Sequence, residues 1–88
     1  MEGNEGLKKY TERRKAVSWV TDNVNIGGME LAKGDIIEVG VGRRSITAEF
    51  RGYDRLLYSF YLHDIESDED IVIPYKVIKF IRKRKLIT

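Results

Sequence analysis

Histidine occurs once in this chain, at His63, and cysteine does not occur. One imidazole among carboxylates is a small set for hydrolytic or metal chemistry, which needs several converging partners of the right type. Asp64 follows His63 directly. Period-two alternation sends neighbouring strand side chains to opposite faces, so these two form no dyad, and Glu66 is separated from His63 in the same way. The acidic run Glu66-Ser67-Asp68-Glu69-Asp70 lacks the Asp-x-Asp-x-Asp-Gly order of a calcium loop and reads as a solvated hairpin tip. Gly40-Val41-Gly42 lacks the Gly-Lys-Ser/Thr ending of a phosphate loop and opens no helix. The expectation is a protein that is not an enzyme, with no catalytic residue, cofactor, metal or small-molecule substrate.

Charge points elsewhere. The net charge of +2 hides an uneven distribution. Residues 7–15 carry five bases against one acid, residues 16–75 carry eleven acids against five bases, and residues 76–88 carry six bases and no acid. Basic ends around an acidic middle suggest contact with a polyanion. The tail Arg82-Lys83-Arg84-Lys85 could neutralise phosphates, or it could be a solubilising terminus. Lys8, Lys9, Arg13, Arg14 and Lys15 form a second basic patch, with a solvated helix face as the other reading. Asp54, in a tight turn, would accept hydrogen bonds from nearby backbone donors.

The elements that position these residues follow from periodicity. Leu7, Tyr10, Arg14, Val17, Val20 and Val24 fall three and four apart, which predicts a helix over 7–24 with Trp19 near its end. Asn25 and Gly27-Gly28 stop it, and 26–34 reads as a connector. From Asp35 the period becomes two. Strands are expected over about 35–41, 46–53, 57–65, 71–73 and 77–81, with turns at Gly42-Arg43-Arg44 and Tyr53-Asp54-Arg55 and a break at Pro74-Tyr75-Lys76. Gly40, Gly42 and Gly52 are where such a sheet would bend most cheaply. One helix and five short antiparallel strands in 88 residues predict a mainly β fold. It would be a single domain, an N-terminal α-helix on a five-stranded, strongly bent SH3-like barrel over 35–81, with 82–88 as a basic tail. A chain this short buries only roughly 60–65% of its unfolded surface. The stretch before residue 7 is acidic and Gly-rich, unlike a signal peptide, and no apolar run approaches the ~18 residues of a membrane span, so a soluble cytoplasmic protein is expected. The high charged fraction, 34%, and the absence of Gln fit a thermophile's composition.

This layout resembles the Sm/Lsm family, including archaeal Sm-like proteins and the bacterial host-factor RNA chaperone. The first motif of that family is matched by the alternation of Ile46, Ala48 and Phe50, then Gly52-Tyr53-Asp54, then Phe60, Leu62 and Asp64. The second is matched by Ile73-Pro74-Tyr75-Lys76 followed by Val77, Ile78 and Ile81. The resemblance spans residues 7–82. Ala48 stands where the family often has Gly, Tyr58 falls at the base-contacting Asn, and Pro74-Tyr75 replaces Arg-Gly. Tyr53-Asp54-Arg55-Leu56 with Ile73-Pro74-Tyr75-Lys76 also looks, more faintly, like part of the RNA cyclic-group end recognition domain.

The Sm-like resemblance implies a single-stranded RNA-binding protein assembled as a homo-oligomeric ring. The strand at 71–73 of one subunit would pair with that at 77–81 of the next, hiding two apolar edges. It also places Tyr58 and Tyr75 beside the turns that form the nucleotide pocket. Base stacking on a Tyr contributes about 1–3 kcal/mol. Arg55 and Lys76 would neutralise phosphates there. Half-buried tyrosines and solvated cations are the other readings. The competing class is an SH3-like adaptor whose acidic middle faces a basic protein and binds no nucleic acid. Duplex DNA binding is a third reading, opposed by the acidic centre.

Overall fold

The computed structural model describes residues 19–84. Its elements are β1 (Val20–Thr21), β2 (Asn23–Ile26), β3 (Met29–Ala32), β4 (Ile36–Val41), β5 (Arg44–Asp54), β6 (Ser59–Asp64), β7 (Glu69–Pro74), a 3-10 turn (Tyr75–Val77) and β8 (Ile78–Lys83). The expectation of a mainly β protein holds. The five strands from β4 to β8 lie within two residues of where the alternation of apolar side chains put them.

The predicted N-terminal helix does not appear among the described residues. Residues 7–18 of it lie outside the described residues, and residues 19–24 form a turn, β1 and the start of β2. Among the described residues there is no α-helix. The physical reason is local. Val20, Thr21, Val24 and Ile26 are β-branched and stiff at χ1, and Asp22, Asn23 and Asn25 are poor helix formers. Gly27 and Gly28 then take φ of +57° and +89°, as a type I′ hairpin turn requires at both central positions. The Asn25 Oδ1 accepts the Gly28 N–H at 3.0 Å and ties the turn. What reads as a helix end and a connector is a β2–β3 hairpin, with Val24 opposite Leu31 and Ile26 opposite Met29.

The expected barrel is also corrected. The main sheet runs in the order β7-β6-β5-β4-β8, with β1 pairing on β5, and it does not close. After β7, the 3-10 turn carries the chain away to pair β8 with β4 at the far side, so among the described residues β7 and β8 are the two ends of the sheet. Strand β5 is long enough to serve two halves. Residues 44–49 pair with β4, and 48–54 pair with β6 across a bulge between Phe50 and Gly52.

The core lies on one face. Ile37 and Val39, Ile46, Ala48 and Phe50, Phe60 and Leu62, and Ile71 and Ile73 alternate inward from four strands. Leu31 of the β2–β3 hairpin reaches into the same cluster, with Val24, Ile26 and Met29 packed beside it. The hairpin therefore covers the apolar face that a helix was expected to cover. Each fully buried Leu, Ile or Phe contributes roughly 1.5–3 kcal/mol relative to exposure. Phe50 and Phe60 meet edge to face at 6.2 Å between centroids, and Tyr53 and Phe60 at 4.9 Å.

Candidate nucleic-acid interface

Two turns meet at one end of the sheet. The first, residues 55–58, joins β5 to β6 and is organised by Asp54. That side chain is buried, and its Oδ1 accepts the N–H groups of Leu56 at 2.9 Å and Leu57 at 3.0 Å. Its Oδ2 accepts the Tyr61 hydroxyl at 3.0 Å. Strand β1 holds the outer side, since the Trp19 carbonyl accepts the Arg55 N–H at 2.9 Å. The turn ends at Tyr58 in a left-handed conformation, φ +51°. An ordinary residue pays roughly 1–2 kcal/mol for that conformation.

The second turn is the 3-10 segment. Pro74 precedes it with φ −65°, and Tyr75 is its first residue. The Tyr75 N–H donates to the Tyr58 carbonyl at 2.8 Å, so the two turns are joined by a backbone hydrogen bond between the two tyrosines. The Tyr75 ring packs on buried Phe60 at 5.9 Å and remains 44% exposed, while Tyr58 is 65% exposed. Both rings therefore offer open surface on supported backbones. Between them lies a cleft of about 370 Å³ lined by Leu57, Tyr58, Pro74, Tyr75 and Lys76. Arg55 stands exposed in the first turn, next to exposed Leu56.

Of the sequence candidates, Tyr58, Tyr75 and Lys76 are brought together, and Arg55 lies in the adjoining turn. Gly52 sits at the β5 bulge and Asp54 ties the first turn. The described part of the basic tail, Arg82 to Arg84, lies elsewhere. Arg82 and Lys83 are at the far end of β8, and Arg82 is about 13 Å along the strand from Ile78 at ~3.3 Å per residue. Lys83 pairs with Asp35 at 3.5 Å, and the Arg82 guanidinium sits over the Phe80 ring at 4.6 Å. Arg84 follows β8, its N–H donating to the Ile36 carbonyl at 2.8 Å. Lys85 and the patch of Lys8, Lys9, Arg13, Arg14 and Lys15 lie outside the described residues.

The hydroxyls near the cleft are poor acids. Burial, with Tyr58, Tyr75 and Asp54 adding to it, holds the Tyr53 hydroxyl above its usual 10.0. Burial, helped by the hydrogen bond to Asp54, pushes Tyr61 up to about 12. Both are neutral donors near neutral pH.

A polar cluster that residue order alone conceals lies at the other end of β6. His63 stands between two carboxylates, with Nδ1 2.8 Å from Asp70 Oδ1 and Nε2 2.9 Å from Asp68 Oδ1. Arg51 joins it, 3.2 Å from Glu49 and 3.8 Å from Asp70. Centring the hairpin between Glu66 and Ser67 would have paired His63 with Asp70, so a signal was present in the register. Among the described residues, no group of three or more His, Asp and Glu side chains is arranged to hold a metal ion. No helix among them is long and apolar enough to cross a membrane.

No protein-family model, no curated protein and no solved structure matches this chain.

Proposed function

We propose that this is a non-catalytic protein that binds single-stranded RNA in the cleft between the 55–58 and 74–77 turns. The observation that carries the reading is the Tyr75–Tyr58 backbone bond, which holds two exposed aromatic rings around a cleft with a cation at its rim. Every base has a π face, so two such rings suit a splayed strand without demanding a sequence. Lys76 and Arg55 would meet phosphates. Two such contacts would give a log–log salt slope of about −1.4 on single strands, at −0.7 each.

Self-association belongs to the same proposal. Among the described residues, strands β7 and β8, which include residues 71–73 and 78–81, stand at the two ends of the sheet. Edges of this kind are usually covered, and a second copy offers the matching edge. Kinship with the Sm/Lsm family goes with this reading and rests on Gly52-Tyr53-Asp54 and on the position of the two turns. So does a cytoplasmic location, where RNA is at hand.

The test is fluorescence anisotropy with labelled oligo(U), mixed-sequence RNA and duplex DNA at about 50 mM salt. Micromolar or tighter RNA binding that Tyr58→Ala and Tyr75→Ala each weaken supports the proposal. A second reading, a protein-interaction module, is favoured by exposed Trp19, Leu56 and Leu57 beside the cleft and by the exposed acidic tip at Glu66, Asp68 and Glu69. Absence of RNA binding at that salt, together with binding to a basic peptide, would favour it instead.

A further inference from the structure

Both ring nitrogens of His63 face carboxylate oxygens at hydrogen-bond distance, Asp70 at 2.8 Å and Asp68 at 2.9 Å. A neutral imidazole carries one N–H, so it satisfies only one of these contacts and turns a lone pair on the other. The imidazolium donates to both. The geometry therefore belongs to the charged form.

The two carboxylates come from different parts of the hairpin. Asp70 is the register partner of His63 on β7. Asp68 belongs to the preceding turn, where its φ of +60° is one of only two positive values at a non-glycine among the described residues. Its N–H donates to the Asp64 carbonyl at 2.7 Å. Asp64 Oδ1 also accepts the N–H groups of Glu66 at 3.0 Å and Ser67 at 3.3 Å. Among the described residues, strand β7 is an end strand and pairs within the sheet with β6 alone.

We propose that the β6–β7 hairpin carries a proton-dependent latch, in which protonated His63 ties the turn at Asp68 to the edge strand at Asp70. Loss of the proton releases the Asp68 contact and loosens the turn that leads into β7.

The groups around the imidazole come from three elements. Glu49 and Arg51 come from β5, Asp70 from β7 and Asp68 from the turn. The acids outnumber Arg51, which is itself shared between Glu49 and Asp70. The hydrogen bond to Asp70 is the main cause that raises His63 above its ordinary 6.5, partial burial opposes it, and Asp68 adds to the rise. A group raised on folding gives its full contribution below the unfolded value. The latch is therefore closed below pH 6.5 and opens as pH rises through the higher folded value.

Imidazole nitrogen NMR and amide hydrogen exchange on the full chain test this. The expected result is a His63 midpoint above 6.5, with both ring nitrogens protonated below it. The Asp68 amide should lose protection above the midpoint, after correction for the intrinsic rate. Asp68→Asn, at a highly exposed side chain, should lower the midpoint and remove the pH dependence of that protection. His63→Gln, which carries no charge, should make the protection independent of pH. A wild-type midpoint at or below 6.5 would overturn the proposal. So would equal Asp68 protection on both sides of the midpoint.

Discussion

Replacing Asp54 by alanine should damage both the fold and the cleft. The buried carboxylate accepts three hydrogen bonds, from Leu56 N–H at 2.9 Å, Leu57 N–H at 3.0 Å and the Tyr61 hydroxyl at 3.0 Å. Hydrogen bonds to a charged group contribute about 1.5–3 kcal/mol each. Leu56 and Leu57 are exposed, so water recovers part of what their amides lose. The net expectation is a loss of about 3–4 kcal/mol. For 88 residues of ordinary stability, roughly 4–13 kcal/mol in all, that is a large share. Asp54→Asn keeps one oxygen for the two amides and presents an amide to a hydroxyl that can turn to accept it, so it should cost only about 1 kcal/mol. Urea unfolding followed by circular dichroism measures both. Equal midpoints for the two variants, or an alanine variant within about 1 kcal/mol of wild type, would refute the claim that this carboxylate organises the turn.

Other outcomes follow from single positions. A Cβ at Gly40 would stand 2.2 Å from the Phe80 ring, so Gly40→Ala should cost about 1–2 kcal/mol in urea unfolding as the ring is pushed aside, and little in a Phe80→Ala background. Tyr58→Gly relieves a left-handed residue and should raise stability by about 0.5–1 kcal/mol while weakening RNA binding. Tyr61, pushed up to about 12, should ionise late in an absorbance titration; its contribution to stability is complete below 10.0 and is lost as pH rises through about 12. A protein that associates through β7 and β8 should sediment as an oligomer at micromolar concentration, whereas a monomer there would refute the edge pairing.

The strands were legible because their patterns are simple. Ile37 and Val39, Ile46 to Phe50, Phe60 and Leu62 alternate in period two, and one face is buried. The segment 19–26 was misread because Val20 and Val24 satisfy a helical spacing while Val24 and Ile26 also satisfy a strand's. Gly27-Gly28 decides between them only when it is taken as a turn with positive φ rather than as a helix stop. The tyrosine cleft was half visible. Residue order placed Tyr58 and Tyr75 beside turns, but their joining depends on how β6 and β7 pair, with Ser59 opposite Pro74. The tail could not be located by composition, since Lys83 and Arg82 are fixed by Asp35 and Phe80 at the far end of β8. The His63 contacts needed the hairpin's register, which one-residue alternation does not supply.

The most direct measurement of the central claim is ultraviolet crosslinking of the full chain to oligo(U), with the adducts mapped by mass spectrometry. The RNA-binding account predicts adducts at Tyr58 and Tyr75, suppressed by unlabelled RNA competitor and reduced as salt rises. Adducts confined to Arg82, Lys83 and the residues after them, with none at either tyrosine, would contradict it.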